Sequence, residues 1–114
     1  MARSFRETTM ESRYYTDITP VLNAMGMVGT KIYSQPEGEI VHIEFEPGAH
    51  LKAHKTPVNV AFFVLEGTAT LTIGEEKQSF APGTIIDSPK DIPHAVTNEG
   101  DCAMRILVIK MPKP

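Results

Sequence analysis

Apolar and polar residues alternate along most of this chain with the period of a β-strand. The alternation begins at Gly29 and runs through TKIYSQ (30–35). Pro36, Glu37 and Gly38 then form a turn, and EIVHIEFE (39–46) follows. In this second stretch Val41, Ile43 and Phe45 share one face and His42, Glu44 and Glu46 the other. The first face belongs in a core, which puts His42 on the outside among carboxylates. Beyond Pro47 and Gly48 a polar segment carries His50 and His54 into an apolar run, Val60 to Leu65, that closes on Glu66 and Gly67. The chain then re-emerges with Thr68, Thr70 and Thr72 opposite Ala69, Leu71 and Ile73, and Gly74 and Glu75 supply a hairpin turn. KQSF (77–80), TIIDS (84–88), HAVTN (94–98) and CAMRILVIKM (102–111) complete the pattern, separated by Pro82-Gly83, Pro89 and Gly100.

Seven or eight short strands with a turn signal about every ten residues predict an all-β sandwich or barrel over residues 29–114. Residues 1–28 read differently. Arg3, Arg6 and Arg13 are interleaved with Glu7 and Glu11, the pattern of a solvated arm. Thr19 and Pro20, followed by VLNAM and Gly26, predict a short helix of at most two turns, with Thr as N-cap, Pro in the first turn and Gly beyond the end. Tyr14, Tyr15 and Ile18 have no place in the barrel core, and this segment is expected to cross onto a partner subunit.

Composition narrows the function classes. The formal charge of -3 and the sequence pI near 5.8 give no electrostatic footprint for nucleic acid. No apolar stretch approaches the ~20 residues of a membrane span, and the first thirty residues hold no apolar core of signal-peptide length, so a cytoplasmic protein without a membrane partner is expected. Cys102 is the single cysteine, which excludes an internal disulfide; its apolar neighbours predict a buried, inert thiol. Met25, Met27, Met104 and Met111 read as gap-fillers or interface residues. Lys52, Lys55 and Lys90 flank the expected barrel mouth and read as solvated loop lysines.

Two segments carry the candidate chemistry. Gly48, His54 and Gly67 lie in the first, and Gly83, Pro89, His94 and Asn98 in the second. At these spacings the chain resembles the cupin superfamily, in its small, single-domain, type-2 form, with a degenerate first motif. Thr56 stands where the family has its second His, Val60 where it has Glu, and Asp91 where it has the middle Gly of the second motif. The resemblance implies a jelly-roll β-barrel related to RmlC, commonly a homodimer, with a divalent Fe, Mn, Ni, Cu or Zn ion in the barrel mouth. It carries over only His54 and His94 as ligands, fewer than the three protein ligands of a secure mononuclear catalytic site. His50 or Asp87 could complete the set. An extended strand, however, would carry His50 about 13 Å past His54. Thr56, Val60, Phe62 and Val64 are expected to line the pocket.

Three functions follow. The first is a cupin that binds a small organic ligand without an essential metal. The second is a metal-dependent, dioxygenase-like enzyme. The third is a metal-free isomerase, epimerase or cyclase in which His94 and His54 exchange protons with a substrate, since imidazole titrates near neutral pH.

Overall fold

In the computed structural model, which describes residues 9–114, the alternating segments become ten antiparallel strands. They are β1 (Leu22–Ala24), β2 (Met27–Gln35), β3 (Gly38–Phe45), β4 (His50–His54), β5 (Asn59–Glu66), β6 (Ala69–Ile73), β7 (Glu76–Phe80), β8 (Ile85–Ser88), β9 (His94–Thr97) and β10 (Met104–Met111). Six form one sheet in the order β1-β2-β3-β10-β5-β8, and four form a second in the order β4-β9-β6-β7. The two sheets face each other as a jelly roll. Val41, Ile43, Phe45, Phe62, Val64, Leu71, Val96, Met104 and Ile106 are buried between them. Each such side chain contributes roughly 1.5–3 kcal/mol relative to exposure, and every one lies at an alternate position of its strand.

Residues 19–26 do not form the expected helix. Leu22–Ala24 is a strand, paired with Met27–Gly29 across a two-residue turn at Met25 and Gly26, whose φ angles are 56° and 78°. Two successive positive φ angles are what a tight hairpin requires, so Gly26 is a turn residue rather than a helix end. A two-turn helix is marginal in isolation, whereas the strand gains a ladder with β2 and packs Leu22 on the core. Helical geometry in the described residues is confined to one 3-10 turn, Tyr15–Asp17.

The expected arm lies partly outside the described residues, which leave out Arg3, Arg6 and Glu7. Arg13 is described, and its Nε donates to the Ile32 carbonyl at 2.8 Å. Tyr15 lies over His42 of its own chain, ring centroids 4.3 Å apart. His42 is therefore 3% exposed, not on the solvated outside. Arg105 donates from Nη1 to His42 Nε2 at 3.0 Å and from Nε to Glu66 Oε1 at 2.7 Å. Guanidinium only donates, so His42 is neutral with its proton on Nδ1. Burial, followed by the Arg105 charge, lowers its pKa. Cys102 also departs from expectation. It lies in the loop before β10 and is exposed.

Two motif positions have structural reasons. Gly67 has φ of 74°, and a Cβ there would stand 2.6 Å from the Ala103 carbonyl oxygen, closer than real Cβ contacts allow. Asn98, 1% exposed, fastens the end of β9. Its Nδ2 donates to the carbonyls of Phe45 (3.1 Å) and Cys102 (2.8 Å), and its Oδ1 accepts from the Gly100 amide (3.1 Å). Asn98→Ala strands three buried or half-buried backbone groups and is expected to lower unfolding free energy by roughly 2–4 kcal/mol in urea titrations. Asn98→Asp keeps the acceptor but loses both donors, so it is expected to recover little of that stability.

Candidate functional site

Antiparallel pairing places His54 of β4 directly opposite His94 of β9. From His94 to Val96 the chain advances two residues, while the matching step on β4, His54 to Leu51, takes three. Lys52 and Ala53 thus face Ala95 alone, a β-bulge. The extra residue reverses the alternation, so Leu51 and His54 both face the barrel interior and His50 faces away. His50 is exposed, with its Nδ1 2.6 Å from Thr97 Oγ1.

His94 is 3% exposed, whereas His54 stands exposed at the mouth. Their rings meet edge to face, centroids 4.6 Å apart, with the two Nε2 atoms 3.3 Å apart. Phe62 lies edge to face with His94 on another side, at 5.1 Å. His94 Nδ1 is 2.8 Å from Ser88 Oγ, and His54 Nδ1 is 3.2 Å from the Lys52 carbonyl.

These contacts fix a direction. A carbonyl only accepts, so the Lys52 contact puts the His54 proton on Nδ1 and leaves Nε2 bare. His94 Nε2–H then donates to His54 Nε2, and Ser88 donates its hydroxyl proton to His94 Nδ1. With both imidazoles neutral, the chain runs Ser88, His94, His54, Lys52. Burial, then repulsion from the His54 and Lys110 charges, brings the His94 pKa down to about 4.

A cavity of about 170 Å³ opens in front of the pair. Val41, Ile43, Leu51, Phe62 and Val108 make it apolar, and its polar groups are His54, His94 and Lys110. Of the four expected lining residues, Phe62 is a wall of this cavity. Val60 and Val64 are core residues behind it, and the buried Thr56 places Oγ1 3.4 Å from His94 Nε2. Ser88 faces His94, so Asp87, its neighbour on β8, points to the opposite side of the sheet and is exposed. Lys52, Lys55 and Lys90 are exposed.

Lys110 escaped the reading of the sequence, and so did the groups that hold it. Met104, Ile106 and Val108 occupy the inner face of β10, and the same alternation brings Lys110 inward. Extending the Val41, Ile43, Phe45 face backwards brings Glu39 inward as well, 5% exposed. Burial alone would raise the Glu39 carboxyl, but hydrogen bonds and charge from Lys31 and Lys110 together outweigh it and hold it below its ordinary range.

The donor set can be tested against the metal that the resemblance implies. The 3.3 Å Nε2 separation matches the edge of a tetrahedral site with bonds of ~2.05 Å. The set stops there, however. Thr56 offers a neutral hydroxyl, position 60 is Val, His50 and Asp87 face away, and the Lys110 ammonium lines the same cavity. Among the described residues no three His, Cys, Asp or Glu side chains converge. The residues present do not fit a three-ligand metal centre.

Comparison with known proteins bears on the fold. A family model described as a cupin domain matches residues 41–110. The protein TT1209 from Thermus thermophilus is 25% identical with a TM-score of 0.79, over 92% of this chain and 100% of that one. An RmlC-like cupin from Shewanella frigidimarina is 14% identical with a TM-score of 0.81, over 92% and 93%. The polyketide cyclase RemF from Streptomyces resistomycificus is 19% identical with a TM-score of 0.78, over 92% and 81%. No curated protein matches the sequence.

The low pKa of His94 makes stability depend on pH. Its folded value of about 4 lies below the 6.5 of a free imidazole, so between these values the unfolded chain binds more protons. Stability is therefore expected to fall as pH drops from about 6.5 to 4, by roughly 1–3 kcal/mol from this residue. His42 adds to the loss in the same direction. His94→Gln is expected to flatten the profile in urea titrations across that window while leaving the His42 share.

Proposed function

The chain belongs to the cupin-domain family, and from that premise we propose that it binds a small organic molecule in the barrel cavity, over the His54–His94 pair, without a resident metal. The carrying observation is the chemistry of the cavity walls: five apolar side chains and three convergent polar ones. Such a lining suits a mostly apolar ligand with one polar end. The shortfall of donors supports the metal-free reading, because two imidazoles beside an ammonium are a poor seat for a divalent cation.

A second reading is favoured by one observation, the directional chain from Ser88 through His94 and His54 to the Lys52 carbonyl. In that chain His54 Nε2 is a base and His94 Nε2–H an acid, side by side at the cavity. A ligand with an acidic C–H beside a carbonyl can lose a proton to one and regain it from the other, which is isomerase or cyclase chemistry. Solvent deuterium would then enter a cyclic ketone in the presence of the protein, and the exchange would disappear in both His54→Gln and His94→Gln.

The proposal extends to a homodimer. On the outer face of the six-stranded sheet Leu107 pairs with Phe63, and Phe63 with Ile85, while Ile109 lies between Ile40 and Ala61. Ile85 is 61% exposed, and the other five are partly exposed. A second copy related by a two-fold axis would cover this belt. Light scattering at micromolar concentration is expected to report twice the chain mass, and Phe63→Glu to halve it; a monomeric parent chain would refute the dimer.

The ligand reading is tested by methyl NMR on protein purified without added metal, titrated with ketones, amides and carboxylates of about four to seven carbons. The expected result is shifts at Val41, Ile43 and Val108 that survive excess chelator. Shifts that vanish with chelator, or none at the cavity from any compound, would overturn it.

A further inference from the structure

The inner face of the six-stranded sheet carries a single charged row. Glu39 pairs with Lys110, Lys110 with Val60, and Val60 with Ser88. Cross-strand partners share a face, so all four side chains project toward the barrel interior. Lys31, partner of Val41 on β2, joins the row from the side. Its Nζ lies 3.2 Å from Glu39 Oε1, while Lys110 Nζ lies 3.5 Å from Oε2. Two ammonium groups on one carboxylate leave this inner face with a net positive charge.

The two lysines are not equivalent. Both contact Glu39, Lys31 at the shorter distance and Lys110 at the longer, and of the two Lys110 lines the cavity shared with His54 and His94. An ammonium has three donors. Among the described residues Lys110 has one charged partner, Glu39, at the long distance. The remaining donors belong to a cation whose side chain is 23% exposed and surrounded by apolar walls. Low polarity strengthens a charge pair formed there.

We propose that Lys110 seats the anionic end of the cavity's ligand, which makes that ligand a small apolar monocarboxylate. The inference rests on the reading that the barrel cavity is the binding site, and it adds the chemical class. One net positive charge matches one carboxylate. The 170 Å³ cavity has room for about five or six water volumes, the size of a short branched or cyclic acid. With the carboxylate at Lys110, the hydrocarbon rests on Val41, Val108 and Phe62, and the polar tips of His54 and His94 face its α-carbon side. Glu39 sets an upper limit on affinity, because its own charge opposes the incoming carboxylate.

The test uses matched pairs, isovalerate with isovaleramide and cyclopentanecarboxylate with its amide, titrated into the intact chain at low salt and followed at the cavity methyls. The acids are expected to bind about tenfold more tightly than the amides, the scale of one charge-assisted hydrogen bond. Lys110→Met keeps the apolar stem and is expected to erase the difference. The preference on the unaltered protein is a readout that does not depend on how the variant folds. Equal binding of acids and amides, or a preference that survives in Lys110→Met, would overturn the anion seat and leave the cavity reading intact. Failure of every acid and amide to perturb the cavity methyls would overturn both.

Discussion

The cavity depends on His94 being buried as a neutral imidazole. Burial and the neighbouring His54 and Lys110 disfavour its charged form, and a neutral ring has one proton to donate. The exposed end of the chain settles where that proton goes. His54 Nδ1–H donates to the Lys52 carbonyl, so with His54 neutral His94 donates from Nε2 and accepts from Ser88. A protonated His94 would turn the Ser88 hydroxyl from donor to acceptor and set a second positive charge near Lys110. A divalent cation in front of the pair would use both Nε2 lone pairs and would meet the Lys110 ammonium in the same cavity.

Charge inside the barrel is balanced on one row of side chains. A carboxylate as buried as Glu39 would be costly alone, and removing one partner of such a group is strongly destabilising. Two lysines reduce that hazard, since either can stay when the other turns to something else. Lys31 is the nearer partner and Lys110 the one that faces the cavity. The position that the cupin pattern fills with Glu is Val60, and it lies between Lys110 and Ser88 on this row. With Val at that position, the charged group that this row presents to the cavity is the Lys110 ammonium.

The fold was largely legible because the barrel is built on period two. Val41, Ile43 and Phe45 read correctly as core from alternation alone, and the Gly, Pro and Asn motif positions mark corners that backbone sterics and buried hydrogen bonds impose. Misreadings came where a local signal had two structural meanings or where tertiary contacts decided. Thr19, Pro20 and Gly26 are helix-boundary residues that serve a hairpin equally well. His42 does lie on the outer face, as its neighbours suggested, but Tyr15 and Arg105 cover it from segments distant in sequence. Cys102 ended up one turn short of the strand that its apolar neighbours belong to. Glu39 and Lys110 were legible in principle, since each continues an inward face by one more step. They were missed because charged residues at strand ends usually mark the solvent side.

The histidines separate where alternation breaks. His50 and His54 are four residues apart, and an unbroken strand would aim both inward. The β4 bulge spends three residues where β9 spends two, which keeps Leu51 and His54 inside and turns His50 out to Thr97. The bulge also leaves Lys52 without a ladder partner, and its carbonyl is the acceptor that fixes the His54 tautomer. One additional residue thus selects which histidine enters the pocket and sets the direction of its hydrogen bond. Because the two effects share one backbone irregularity, straightening the bulge without changing the sequence would put Leu51 and His54, three residues apart, on opposite faces of β4, and only one of them could stay inside. The pocket's chemistry is therefore tied to a feature of backbone count, which residue types alone do not reveal.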